Sequence, residues 1–168
     1  MKKIVGISAA AVVLAPALAF AETPLHAYQY VYIKAPPAKV WKMIEGFDGM
    51  QAWHPDVAEA RIVEGAPGEA GTVREIIYKD GTTVRQELTR HDHTNMRIDY
   101  QTVGESRWGL KDYRAVMDVV ELKPGQSALV WRSSFLKGDY LSEVDVVGNV
   151  QEGYEAGLDN IRQIAESG

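Results

Sequence analysis

The chain has 168 residues, no cysteine, and 23 acidic against 18 basic side chains, which gives a formal charge of −5 at neutral pH. Without cysteine there is no disulfide stapling, no thiol catalysis and no covalent haem attachment, so packing alone has to hold the fold. No segment gathers the lysines and arginines that a phosphate backbone demands, which excludes a nucleic-acid partner.

The first 21 residues read as an export signal. Lys2 and Lys3 precede an apolar run from Ile4 to Leu18, and Ala19-Phe20-Ala21 forms a small-x-small cleavage site before Glu22. The run falls short of the ~20 residues of a membrane span and carries Pro16 near its end. Cleavage is therefore expected, leaving a periplasmic protein without a stable membrane anchor and, with the two lysines gone, a charge of −7. Residues 22–168, 147 in all, suit a single domain.

That domain opens with Tyr28 to Ile33, aromatic or aliphatic on both alternating faces, as in a strand at least partly covered on its two sides. Ala35-Pro36-Pro37 ends the strand and presets a first short helix with Val40, Trp41 and Ile44 on its apolar face, stopped by Gly46. A second short helical turn closes on Trp53-His54-Pro55, where proline keeps His54 out of the α region. Glu59 to Glu64 reads as a strand and Gly65-Ala66-Pro67-Gly68 as a loop.

From Gly71 the period becomes two. Val73 to Tyr78 and Thr82 to Thr89 are expected as strands joined by Lys79-Asp80-Gly81, whose Asp-Gly favours a hairpin. Met96 to Val103, Tyr113 to Leu122 and Ser127 to Leu136 complete an antiparallel meander. The last element changes period again, with Val147, Val150, Tyr154, Leu158, Ile161 and Ala165 forming one apolar stripe along a helix. Such a helix and a curved sheet bury their apolar surfaces by lying one across the other, so the fold class is α+β.

The order Ala35-Pro36-Pro37, Val40-Trp41, Trp53-His54-Pro55, then Gly71-Thr72-Val73-Arg74-Glu75, Gly81 with Gln86-Glu87-Leu88, and Leu110-Lys111-Asp112-Tyr113 resembles the polyketide cyclase/dehydrase branch of the Bet v1/START-like (SRPBCC) superfamily. The resemblance spans nearly all of residues 22–168 and implies a helix-grip fold: a curved antiparallel sheet wrapped around a long C-terminal helix, with two short helices after the first strand. Within that superfamily the chain looks most like the secreted MxaD-type proteins of periplasmic methanol oxidation, through Trp53-His54-Pro55, Val73-Arg74-Glu75, Asp112-Tyr113 and the run from Gly153 to Ile161. That likeness implies assistance to methanol dehydrogenase and its cytochrome electron acceptor.

Strand parity predicts what faces the helix. Val84, Gln86 and Leu88 share one face, and Arg85, Glu87 and Thr89 the other, which water would keep. Parity leaves the preceding strand open, and the family resemblance points Arg74, Ile76 and Tyr78 inward, where Gln86 can satisfy the guanidinium. Tyr100, Tyr113 and Trp131 fall on inward rows, with Gly153 and Gly157 opposite on the helix. Two helical glycines either bring the helix against the sheet or leave room for a guest. The expected pocket thus has Trp53, Tyr100, Tyr113 and Trp131 as walls and His54, Arg74, Tyr78 and Gln86 as polar handles, the make-up of a small-molecule site. Its mouth is expected at Asp80-Gly81 and at Gly104 to Gly109, around an exposed Trp108. The second loop matches in position the latch of plant hormone receptors in the superfamily, two residues longer here and facing a gate cut to a tight turn.

Chemistry is read with its alternatives. His54 has the pKa range of an acid/base and Asp56 nearby, or else caps the helical turn beside Trp53. Arg74 orients a ligand or forms an ion pair with Glu75 or Glu87. His91-Asp92-His93 suggests a metal, but no third ligand sits at a telling spacing, so a solvated turn is expected with no metal and no cofactor. The leading expectation is a non-catalytic binder of a small hydrophobic molecule, or an accessory factor whose partner is a periplasmic dehydrogenase or cytochrome. The alternative is a cyclase or dehydratase in which His54 is the base and Arg74 orients an enolate oxygen.

Overall fold

The computed structural model describes residues 22–139 and 141–167; the export signal read at residues 1–21 lies outside them. Strand β1 (Leu25–Ile33) leads into helix α1 (Pro37–Ile44) and a 3₁₀ turn at Met50–Ala52. Strands β2 (Val57–Glu64), β3 (Val73–Tyr78), β4 (Thr83–Asp92) and β5 (Arg97–Val103) follow. A second 3₁₀ turn at Arg107–Gly109 precedes β6 (Lys111–Lys123), β7 (Gln126–Leu136) and the terminal helix α2 (Glu143–Glu166). The seven strands form one antiparallel sheet in the order β1-β7-β6-β5-β4-β3-β2, and α2 lies across its concave face. This is the helix-grip architecture.

Local chemistry accounts for the junctions. Pro37 occupies the first turn of α1, where its missing N–H costs nothing. In the β3–β4 turn Gly81 takes a φ of +87°, and the Asp80 Oδ1 accepts the Thr82 N–H at 2.8 Å. Ser142 caps α2 by accepting the Asp145 N–H at 3.2 Å, and Glu143 and Asp145 place negative charge in its first turn.

Several expectations need correction. β4 runs on to Asp92, so His91 does not belong to a solvated turn; its ring stacks on Trp41 at 5.5 Å and sits 3.2 Å from the Glu45 carbonyl, and that packing extends the strand. The stripe of α2 begins at Val146, fully buried, while Val147 is only partly covered. β1 is covered on one face alone: Ala27, Val31 and Ile33 are buried, whereas Tyr28, Tyr30 and Tyr32 are exposed on the outer face.

The outer face of the rest of the sheet is laced with charge. Glu75 receives Arg61 at 2.6 Å and Arg85 at 3.1 Å across β2, β3 and β4. Asp118 receives Arg132 at 2.8 Å, and Arg97 pairs with Asp99 at 2.6 Å. The inner face is apolar and holds the core between sheet and helix.

Candidate functional site

The corner after the first 3₁₀ turn is fixed to α2 at two points. The Asn160 side chain donates to the Trp53 carbonyl at 2.9 Å, and the His54 Nε2–H donates to the Gly153 carbonyl at 3.1 Å. Its other nitrogen, Nδ1, accepts the Asp56 N–H at 3.2 Å. Both ring nitrogens are therefore engaged, and this pattern defines the tautomer. Burial lowers the His54 pKa to about 4, outweighing the Asp56 charge and the Gly153 carbonyl, which favour the protonated ring. Arg107 and Arg74 push in the same direction as burial.

The two glycines of α2 divide the alternatives between them. A Cβ on Gly157 would lie 3.0 Å from the His54 ring, 3.2 Å from Trp53 and 3.3 Å from Trp131, so here the helix presses directly on the aromatic wall. A Cβ on Gly153, one turn earlier, would meet nothing within 4 Å. A gap of about 60 Å³ opens at that level, between α2, the β3–β4 hairpin and the loop before β6.

Of the residues singled out in the sequence, His54, Tyr78, Gln86, Tyr100, Tyr113, Trp131 and Gly153 line this gap. Trp53, Arg74 and Gly157 do not; they stand in the layer behind it. Strand parity reports which face a side chain takes and says nothing of its depth, which is why these three looked equivalent to the others. The wall includes residues not anticipated from the sequence, chiefly Tyr154 and Arg107. Tyr154 stacks on Trp131 at 4.2 Å between centroids and 11° between planes, and its hydroxyl bonds that of Tyr113. A tyrosine on the apolar stripe, next to a helical glycine, was the available signal. The Trp131 Nε1–H donates to the Tyr100 hydroxyl at 2.8 Å. Burial holds the hydroxyls of Tyr100, Tyr113 and Tyr154 well above the usual phenol range, so all three keep their protons.

Arg74 is buried, 5% exposed, without a carboxylate partner among the described residues. The ion pair considered with Glu75 or Glu87 does not form, because both lie on the opposite face: Glu75 is taken by Arg61 and Arg85, and Glu87 accepts from Gln101 at 3.0 Å. Instead the guanidinium donates to Gln86 Oε1 at 2.6 and 3.0 Å and to the Phe47 carbonyl at 2.8 Å. It also sits 4.1 Å over the Phe47 ring and 5.1 Å from the Tyr100 ring. Burial pulls its pKa down, and the surrounding tyrosines and Asp48 oppose that.

The mouth is clasped by Arg107. Its guanidinium bonds Asp80 at 2.7 Å and stacks over Tyr78 at 3.9 Å and Trp108 at 4.8 Å, joining the hairpin turn to the longer loop. Trp108, expected exposed, is partly buried against the core and adopts a φ of +59°, uncommon for a non-glycine residue. Behind it, Gly138 touches Gly109 so closely that a Cβ at 138 would overlap the Gly109 carbonyl. His91, near the end of β4, and His93, in the turn just beyond it, lie around Trp41 and Glu45, with the Trp41 Nε1–H donating to His93 Nδ1 at 3.1 Å.

A helix held in a curved sheet over an aromatic gap defines a helix-grip protein of the Bet v1/START type. The chain belongs to the polyketide cyclase/dehydrase and lipid transport family, whose model matches residues 24–166. Among solved structures, the protein XoxI of Bacillus cereus is 22% identical, with a TM-score of 0.76 over 83% of this chain and 94% of its own. An uncharacterized protein of Bacillus thuringiensis is 21% identical, with a TM-score of 0.75 over 83% of this chain and 98% of that one. A Thermobifida fusca protein is 22% identical, with a TM-score of 0.73 over 83% and 92%. Identities at this level bear on the fold alone.

Proposed function

We propose that this is a periplasmic, non-catalytic helix-grip protein that holds a compact, mostly apolar molecule with one hydroxyl or carbonyl in the gap beneath α2. The observation that carries this reading is the open side of Gly153, facing aromatic walls with Gln86 and tyrosine hydroxyls as polar points. At about 60 Å³ the gap is well below the ~300 to 1,000 Å³ of drug-sized sites, so its guest is small.

The cyclase or dehydratase reading is weaker on the geometry. A base needs a free nitrogen and a pKa near the working pH, and His54 has neither, with both nitrogens bonded and a pKa of about 4. Arg74 is held behind Gln86, away from a substrate oxygen in the gap. The likeness to MxaD-type proteins supplies the biological setting: an accessory to methanol dehydrogenase and its cytochrome acceptor, with the guest carried or sensed in that system.

Native mass spectrometry of protein taken from the periplasm is expected to reveal a retained small molecule. Titration with phenol, followed by NMR of the Trp131 indole N–H, is expected to give a saturable shift that Gly153→Leu abolishes by filling the gap. A bare mass together with no saturable shift in the unsubstituted protein overturns the reading.

A further inference from the structure

The two edges of the sheet are finished differently. β2 carries Glu59, Arg61 and Glu64, and its register on β3 slips twice, between Val57 and Glu59 and between Ile62 and Glu64. Charges and bulges of this kind keep an edge from recruiting another strand. β1 has neither: Leu25 to Ile33 contains no acidic residue, lysine, arginine or proline, and its register on β7 is unbroken. Its outer row is Tyr28, Tyr30 and Tyr32, 50%, 49% and 62% exposed, with neighbouring rings 5.8 and 5.3 Å apart. Val120, in the same cross-strand row as Tyr32, prolongs the apolar surface inward from the edge. An exposed aromatic row along an edge that carries neither charges nor bulges marks an association surface.

The flank of that edge identifies what fits it. Glu155, Leu158, Asp159 and Arg162 of α2 border β1 from Gln29 to Tyr32. The Lys34 N–H just beyond β1 donates to Glu166 at the end of α2 at 2.8 Å, so strand and helix run in the same direction along the edge. Glu155 therefore stands toward one end of the groove and Arg162 toward the other. Arg162 is paired with Asp159 on its own helix at 3.0 Å, and a two-fold axis through the edge reverses the order in a second molecule, bringing each Glu155 toward the other's Arg162 so that the guanidinium bridges the two carboxylates. The strand itself brings no charge to the axis.

We propose that the β1 edge is a docking surface for a second copy of this chain. The two β1 strands pair antiparallel about a two-fold axis at Tyr30 and join two seven-stranded sheets into one. In that register Tyr30 faces its own copy and each Tyr28 faces the other molecule's Tyr32, which makes one continuous aromatic row on the convex surface. The surface is distinct from the interior gap and stands independently of what the gap holds.

Sedimentation velocity over a concentration series is expected to show twice the mass of one chain as concentration rises. Tyr30→Lys and Tyr30→Glu each place like charges at the axis and are expected to sediment as monomers with unchanged circular dichroism. Mixing the two in equal amounts is expected to restore the dimer, because opposite charges then meet. Should either variant melt early, Arg162→Glu replaces it: it sets Glu155 against a glutamate and loses the dimer, and adding Glu155→Arg restores it. A single-chain mass for the unsubstituted protein throughout the series overturns the proposal, as does a mixture that stays monomeric.

Discussion

At the scale of single residues, two glycines one helical turn apart have opposite consequences. Gly153→Ala adds a methyl to open space and removes the backbone entropy of a helical glycine, so it is expected to stabilise the protein by up to about 1 kcal/mol in urea unfolding. Gly157→Ala forces a methyl against three rings at 3.0 to 3.3 Å and is expected to destabilise by roughly 1 to 3 kcal/mol. His54 gives a pH dependence whose sign follows from its environment. In the folded protein it remains neutral down to about pH 4, whereas in the unfolded chain it takes up a proton near 6.5. The unfolded state then binds more protons across that window, so stability is full above 6.5 and falls as the pH drops toward 4. The loss is on the order of 3 kcal/mol, and His54→Asn is expected to remove this slope from urea midpoints measured against pH.

At the scale of elements, the β3–β4 hairpin carries a buried cation held by an amide and a carbonyl. Arg74→Met leaves Gln86 and the Phe47 carbonyl without their donor, and is expected to cost about 1 to 3 kcal/mol. Adding Gln86→Leu is expected to cost less than the two single losses combined, a coupling that a double-mutant cycle in urea reads directly. The pairing of Arg74 with Gln86 was anticipated because the family resemblance turned Arg74 inward, where parity left the strand open, and a hairpin anchored at Asp80-Gly81 sets it opposite Gln86. The α+β order of elements was legible too, since the change from period two to a three-and-four repeat is strong and most turns carry glycine or proline, the exception being the β4–β5 turn at residues 93–96. The Arg107 clasp was not, because its partners Tyr78 and Asp80 lie on another hairpin and no local pattern connects them. The length of β4 was missed for a related reason: Trp41, on an earlier helix, provides the surface that keeps His91 extended.

At the scale of the whole molecule, charge is distributed by side. The outer sheet neutralises most of its own charge in cross-strand ion pairs, while a negative total remains. If the proposed accessory role involves a basic periplasmic cytochrome, the association rate is expected to fall steeply between low and physiological ionic strength while dissociation changes less, as stopped-flow measurements would record. A rate indifferent to salt would exclude electrostatic steering. The contact between Gly109 and Gly138 links two regions far apart along the chain. With no side chain to act as a cushion, the Trp108 loop and the segment after β7 meet backbone to backbone, so any side chain at position 138 would drive the two apart. The helix beyond is tied down along its length, by Val146 and Val150 in the core, by His54 at Gly153, and by the contacts at Gly157 and Asn160.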